Sequence, residues 1–417
     1  MAWHGREVRT LAHGKGDQRP GFVVTVRWEV LHEGGLLSES RYSMSKRPVA
    51  PSSLLSLDCS DVVAVTQVQE DTDGQCFDTI WRKVMPNANK CRLTVADVTG
   101  IWGIIPSCST PEAADPLYDG VAIDVEETRR AVNQIIEDGV DAILTNGTFG
   151  EEATLTPEEW KVYVTAVVEE VAGRVPVCIG TTMQSTRETI ERMKFVRDLG
   201  AQGTMLGRPM WCQLAPEAIV QYYRDVAEAV PELGIVIYDN PEAFKGRITP
   251  ETWGQLAEIP QLVAAKTIGV DDIYARSLEA VKGRIRLLPL ERDWLKAREI
   301  DADVSVAAWA GSASCGMAPC TKLRDLITAG EDEMAQKLTD RITWSYETFF
   351  PNGDFREFSK YNIPLEKERF NAAGYINAGP TRPPFDLMPK AYLEGTVEAA
   401  RRWNAVSDEV NQGSFDR

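Results

Sequence analysis

Histidine is nearly absent from this chain. Of 417 residues only three are histidine, His4, His13 and His32, and none follows residue 32. If the catalytic body begins later, a Ser-His-Asp triad and a histidine zinc site are both excluded from it, and the chemistry falls to lysine, tyrosine, carboxylates or thiols. The eight cysteines, at 59, 76, 91, 108, 178, 212, 315 and 320, form no CxxC pair and no regular framework. That pattern reads as free thiols in a reducing cytoplasm. No stretch approaches the ~18 apolar residues of a membrane span. Arg6, Arg9, Lys15 and Arg19 stand among polar residues, without the apolar core of a signal peptide. Positive charge is also short: 45 Lys and Arg against 62 Asp and Glu leave a formal charge of −17. Nucleic acid and anionic membranes both need a basic face, so the expected partner is a small molecule.

From about residue 100 onward, apolar runs alternate with helical patterns. The runs begin near Ile101, Asp141, Val175, Gly203, Gly234, Leu262, Arg284 and Asp303. Thr156-Pro157-Glu158-Glu159 supplies an N-cap, an N1 proline and a capping-box glutamate. Trp160, Tyr163, Val164, Val167, Val168 and Val171 follow at helical spacing, with Gly173 as a stop. The same grammar recurs from Ser185 to Glu188 before Gly200, and at Thr249-Pro250-Glu251. Such alternation predicts an α/β fold, a (β/α)8 TIM barrel over residues 85–310, with an open doubly wound sheet as the structural alternative, although no GxGxxG follows a strand. Helical patterns at 320–347, 356–374 and 389–405 predict a C-terminal helical appendage over 311–417. Residues 1–84 carry short alternating runs such as Gly21 to Trp28 with no sustained period, so they read as a poorly structured extension. A start codon assigned too far upstream, with Met85 opening the native chain, fits that segment better than an accessory domain.

In such a barrel the reactive groups gather at the carboxyl ends of the strands. Lys266 closes the run Leu262-Val263-Ala264-Ala265, where partial desolvation lowers an amine's pKa and lets it attack a carbonyl. On position alone, pairing with a carboxylate or snorkelling to solvent is the commoner fate of such a lysine. Tyr238 ends the preceding run at the same kind of edge and makes a proton shuttle beside a neutral lysine. Asn146-Gly147-Thr148-Phe149-Gly150-Glu151 offers a hydroxyl and backbone N–H groups to a small carboxylate, or is a turn whose glycines allow positive φ. Trp309 is a site aromatic or a core residue. Glu151 and Glu152 read as charges preceding a helix. Cys315 and Cys320 read as structural.

The Gly147-Thr148-Phe149-Gly150-Glu151 loop, the Tyr238-Asp239-Asn240-Pro241 turn and Lys266, in this order, resemble the N-acetylneuraminate lyase and dihydrodipicolinate synthase superfamily of class I aldolases. Within it, residues 238–245, Gly203-Thr204-Met205-Leu206-Gly207 and Phe358-Ser359-Lys360-Tyr361-Asn362 resemble the trans-o-hydroxybenzylidenepyruvate hydratase-aldolases of polycyclic aromatic degradation. The resemblance covers about residues 100 to 400.

It implies that Lys266 forms a Schiff base and Tyr238 moves protons. It also implies that Thr148 and the Phe149 N–H hold the pyruvoyl carboxylate, while Asn240, Trp309 and Asn362 line the site. No metal or organic cofactor is required, and a homotetramer is implied. Two departures matter. The lysine-biosynthetic branch binds a second carboxylate with an arginine where this chain has Ala243, and the naphthalene-pathway members carry a histidine after the seventh strand where it has Leu290. Lysine biosynthesis is thereby disfavoured, and the ortho substituent of the substrate stays open between hydroxy, carboxy and fused-ring forms. The expected reaction is cleavage of an aryl-CH=CH-CO-COO⁻ substrate, with water, to an aromatic aldehyde and pyruvate. A sugar-acid aldolase or dehydratase is the rival enzyme, disfavoured because Phe149, Trp211, Leu290 and Trp309 promise an apolar pocket. A silent keto-acid-binding barrel is the rival of another class, disfavoured because binding needs neither Lys266 nor Tyr238.

Overall fold

The structure, a computed structural model, describes residues 25–32, 35–43 and 92–415. The chain divides into two compact units, residues 1–79 and 80–417. In the first, strands Thr25–His32 and Gly35–Ser43 pair antiparallel, Thr25 opposite Ser43 and His32 opposite Gly35. Thr25 to Trp28, from the alternating run of the extension expected over 1–84, lie in this hairpin. The remainder of that expectation, with Met85 as a start, lies outside the described residues.

The second unit is a (β/α)8 barrel with a helical C-terminal region. Its strands are β1 (Gly100–Ile105), β2 (Ala142–Thr145), β3 (Val177–Gly180), β4 (Gly203–Leu206), β5 (Gly234–Tyr238), β6 (Leu262–Lys266), β7 (Arg286–Leu288) and β8 (Ala307–Ala310). All pair in parallel in chain order, and β8 pairs β1 with Trp309 opposite Trp102. The last seam, β7 to β8, is closed by a bridge of Leu290 to Trp309 and by Trp309 N–H donating to Pro289 O at 2.9 Å. Both faces of a parallel sheet are covered in this architecture, which is why β2 to β6 are buried throughout and, apart from the terminal Lys266, apolar or small instead of alternating.

The barrel helices are α1 (Val125–Glu137), α2 (Pro157–Val171), α3 (Thr186–Leu199), α4 (Pro216–Ala229), α5 (Pro250–Leu256), α6 (Asp272–Val281) and α7 (Trp294–Ile300). The capping box of α2 forms as its sequence requires: Thr156 Oγ1 accepts from Glu159 N at 3.1 Å and Glu159 Oε2 accepts from Thr156 N at 3.0 Å. Such an N-cap is worth about 1 kcal/mol. Ser185 sits at the N-cap of α3 without a side-chain cap bond, and Gly200, at φ 95°, ends that helix.

The C-terminal region holds α8 (Ala318–Ala329), α9 (Asp332–Tyr346), α10 (Phe355–Ser359), α11 (Asn362–Ala373) and α12 (Lys390–Asn411). The run expected at 320–347 is two helices, because Gly330 turns the chain at φ 73°. Packing of α11 against the carboxyl end of the barrel matters most for the site. Its Phe370 meets Phe149 edge to face at 5.6 Å. Among the described residues no helix is long and apolar enough to cross a membrane.

Candidate active site

Lys266 is the last residue of β6, and its cross-strand partner is Tyr238, the last of β5. Both side chains therefore leave the sheet at one edge of the barrel mouth. The Lys266 Nζ lies 4.6 Å from the centroid of the Tyr238 ring and 3.5 Å from that of Trp309. Trp309 is fixed in turn by its Nε1, which donates to Thr267 O at 2.9 Å. With 4 % of its surface exposed, Lys266 has lost most of its hydration, and burial draws its pKa down from 10.5 to about 7 against the opposing pull of Glu366 and Glu291. At neutral pH a large share of the amine is therefore unprotonated.

The Tyr238 hydroxyl shares a 2.8 Å hydrogen bond with Thr148 Oγ1 and accepts from Asn240 Nδ2 at 3.0 Å. Asn240 is held in that orientation because its Oδ1 caps the turn, accepting from Glu242 N at 3.1 Å and Ala243 N at 3.3 Å. Burial raises the Tyr238 pKa, so the phenol keeps its proton at neutral pH. Neighbouring Asp239 points elsewhere, to Arg208 Nη1 at 2.9 Å, an ion pair that ties the β4 and β5 ends together.

Thr148 and Phe149 sit in the loop after β2. Its positive φ angles fall on Asn146 (53°) and Glu151 (54°), while Gly147 and Gly150 are absent from the positive-φ residues, contrary to the turn reading of those glycines. The glycines answer to space. A Cβ on Gly150 would stand 2.8 Å from Asn146 N, and one on Gly147 would stand 3.2 Å from Met205 Cε.

Lys266, Tyr238, Thr148, Asn240 and Trp309 thus form one contiguous group. Phe149 borders it, with its ring packed on Phe370. Asn362 opens α11, makes no hydrogen bond to the group, and leaves a buried Oδ1 without a protein partner. Leu290 is buried in the β7–β8 seam. Trp211 differs from expectation. It is 83 % exposed on the loop after β4, whose backbone is pinned by Gln184 Oε1.

Glu151 and Glu152 also depart from the surface role expected of them. Glu151 is fully buried, 2.7 Å from both Lys367 Nζ and Arg382 Nη1, and Glu152 pairs with Arg192. Sequence reasoning passed over Glu291, after β7, and Glu366, on α11, whose charges act on Lys266, and Arg369, which pairs with Glu366. The one available signal was the four-residue step from Asn362 to Glu366, which puts both on one face of a helix. The cysteines at 108, 178, 315 and 320 are free and buried, and burial pushes the Cys315 thiol up to about 12, in keeping with a structural role. Among the described residues no group of three or more His, Cys, Asp or Glu side chains is placed to hold a metal ion.

The model of the dihydrodipicolinate synthetase family matches residues 103–349, from inside β1 to the end of the first two C-terminal helices. The chain belongs to the dihydrodipicolinate synthetase family. Among its relatives are a trans-O-hydroxybenzylidenepyruvate hydratase-aldolase of Sphingobium xenophagum, 45 % identical over 311 residues (74 % of this chain, 94 % of the relative), and a trans-2'-carboxybenzalpyruvate hydratase-aldolase of Nocardioides sp. (strain KP7), 45 % identical over 318 residues (75 % and 95 %). A solved structure described as PhdJ bound to a substrate intermediate superposes with a TM-score of 0.75 at 45 % identity, covering 77 % of this chain and 99 % of that one. The family match ends at residue 349, before α11 with Asn362, Glu366 and Arg369.

Proposed function

We propose that this family member is a hydratase-aldolase that cleaves an ortho-substituted benzylidenepyruvate, with water, to an aromatic aldehyde and pyruvate, in the breakdown of polycyclic aromatic hydrocarbons. The observation that carries the reading is the buried, partly neutral Lys266 amine beside the Tyr238–Thr148–Asn240 hydrogen-bonded set. It stands in a chain 45 % identical to a hydratase-aldolase over 94 % of that enzyme.

The Lys266 amine condenses with the ketone and expels water, leaving an iminium conjugated to the alkene. Water adds at the benzylic carbon, the iminium taking up the electrons as an enamine, and protonation of the adjacent carbon restores the iminium. Tyr238 then relays the proton of the new hydroxyl, with Thr148 as its hydrogen-bonded neighbour, while the carbon–carbon bond breaks and the aldehyde leaves. The remaining enamine is protonated and hydrolysed to pyruvate, which frees Lys266. Thr148 and the Phe149 N–H hold the pyruvoyl carboxylate, Trp309 walls the amine, and Asn240 and Asn362 orient the water or the aryl end. The enzyme works as a homo-oligomer, a tetramer, in the cytoplasm.

The test is borohydride trapping with pyruvate followed by peptide mapping. A reduced pyruvoyl adduct on Lys266 is expected. An adduct on another residue, or release of aldehyde by a Lys266→Ala variant, sinks the assignment. Loss of the enone absorbance across hydroxy-, carboxy- and naphthyl-substituted benzylidenepyruvates ranks the substrates.

A further inference from the structure

The turn that carries Tyr238 and Asn240 is gripped at both ends by one buried side chain that the reaction above does not use. Arg208, just beyond the end of β4, donates from Nη1 to Asp239 Oδ1 at 2.9 Å and from Nη2 to the carbonyl oxygen of Gly246. Asp239 opens the turn and Gly246 closes it. Between them the chain folds back on itself, with Phe244 N donating to Asn240 O at 2.9 Å and Gly246 N to Pro241 O at 2.8 Å. Phe244 fills the space inside the grip. Its ring meets the Tyr238 ring edge to face at 5.4 Å, and the Arg208 Cζ lies 5.4 Å from its centroid. Gly207 leaves the room this needs, because a Cβ there would overlap the Phe244 ring. Asp239 is also tied to the lysine strand, its N donating to Lys266 O at 3.1 Å.

We propose that Arg208 is a positioning residue for the carbon–carbon cleavage, holding the Tyr238 hydroxyl at the place from which it relays the proton. This rests on the reading of Tyr238 as that relay. Tyr238 and Asn240 flank Asp239 in the chain, so a shift of Asp239 is passed to both, and with it to the 3.0 Å hydrogen bond from Asn240 Nδ2 to the Tyr238 hydroxyl. Phe244, held within the same grip, supports the ring that carries the hydroxyl. Gripping a carboxylate at one end of the turn and a carbonyl at the other needs donors spread in a fixed plane. A guanidinium supplies that fork, whereas an ammonium is a point charge. Stability is a weak reason to bury such a pair, since apolar residues of the same volume often do as well. Among the described residues the hydrogen bonds of Arg208 reach neither Lys266, Trp309 nor Thr148 directly. Condensation of the amine with a ketone is therefore expected to survive a change at Arg208 that cleavage does not.

The experiment is a double-mutant cycle on Arg208 and Tyr238 in the full-length protein. Borohydride trapping of pyruvate on Lys266 counts the competent sites, and aldehyde release from a benzylidenepyruvate is expressed per trapped site. Arg208→Lys keeps a charge opposite Asp239 and gives up the second hold on Gly246. Trapping is expected to persist while release per site falls about ten- to a hundredfold, the scale of a small misplacement at a reacting centre. In the Tyr238→Phe background the same substitution is expected to bring no further loss, because no hydroxyl remains to be placed. Undiminished release by Arg208→Lys overturns the inference. So does an equal loss in both backgrounds, the mark of a general structural role. Should Arg208→Lys fail to fold, Arg208→Met/Asp239→Leu removes both charges together and enters the same cycle with the same expected outcome. A Tyr238→Phe variant that releases aldehyde at the native rate overturns the relay reading of Tyr238, and this one with it.

Discussion

The Lys266 Nζ and the Trp309 ring lie 3.5 Å apart, nitrogen to ring centroid, and the ring acts on the amine in two opposing ways. A cation–π contact favours the ammonium by about 0.5–2 kcal/mol. Exclusion of water disfavours it, and a shift from 10.5 to about 7 corresponds to roughly 5 kcal/mol at 1.36 kcal/mol per unit. Desolvation wins. Trp309→Leu admits water to the amine, so its pKa rises toward 10.5 and the acid limb of the kcat/KM profile moves from near 7 to higher pH. A limb that moves down instead would show that the ring acts chiefly as a cation partner.

Lys266 should also cost the folded protein stability. Its pKa is depressed in the native state, so between about 7 and 10.5 the unfolded chain binds more protons, and stability rises with pH across that window. Lys266→Met keeps the volume and removes the titration. It is expected to be more stable than the native protein by on the order of 3–4 kcal/mol at pH 7, with the gap closing toward pH 10.5. Denaturant unfolding at several pH values reads this directly, and a gap independent of pH would refute it.

Tyr238→Phe removes the hydroxyl that joins Thr148 Oγ1 and Asn240 Nδ2 while leaving the ring against Phe244. If the phenol only relays protons, trapping of pyruvate on Lys266 persists and aldehyde release falls about 10²–10⁴-fold. Equal loss of trapping and cleavage would instead make the hydroxyl part of iminium formation.

The barrel was legible because each strand is a short apolar run, and because Thr156, Gly200 and Thr249 punctuate the helices through local chemistry that a linear sequence displays. Lys266 and Tyr238 were legible for a related reason: each ends its run, and in a parallel barrel the ends converge. What the sequence does not display is distance. Glu366, Arg369 and Glu291 meet only because α11 folds back over the mouth, and Glu151 reads as a surface charge because Lys367 and Arg382 lie more than 200 residues away along the chain. Trp211 misled in the opposite direction. An aromatic after a barrel strand suggests a pocket wall, yet its backbone is anchored by Gln184 with the indole turned out to solvent.

Glu151 offers a test of how the C-terminal helices hold the substrate loop. Its carboxylate accepts from Lys367 Nζ and Arg382 Nη1, both at 2.7 Å, and from Arg382 N at 2.8 Å, all in a region closed to water. Replacing both members of such a buried pair can be nearly neutral, whereas removing one strands the other's charge at about 3–5 kcal/mol. Glu151→Gln is therefore expected to lower the thermal midpoint by several degrees. The loss should be smaller at high pH, because burial already lowers the Lys367 pKa and the orphaned amine can then shed its proton. Glu151→Gln/Lys367→Met should recover part of the loss by removing the stranded cation. Thr148 stands three residues before Glu151 on the same loop, so the single variant should also bind pyruvate more weakly, and the double variant should regain binding in step with stability. Stability restored without binding would show that the ion pair fixes the fold but leaves the position of Thr148 to the loop's own packing.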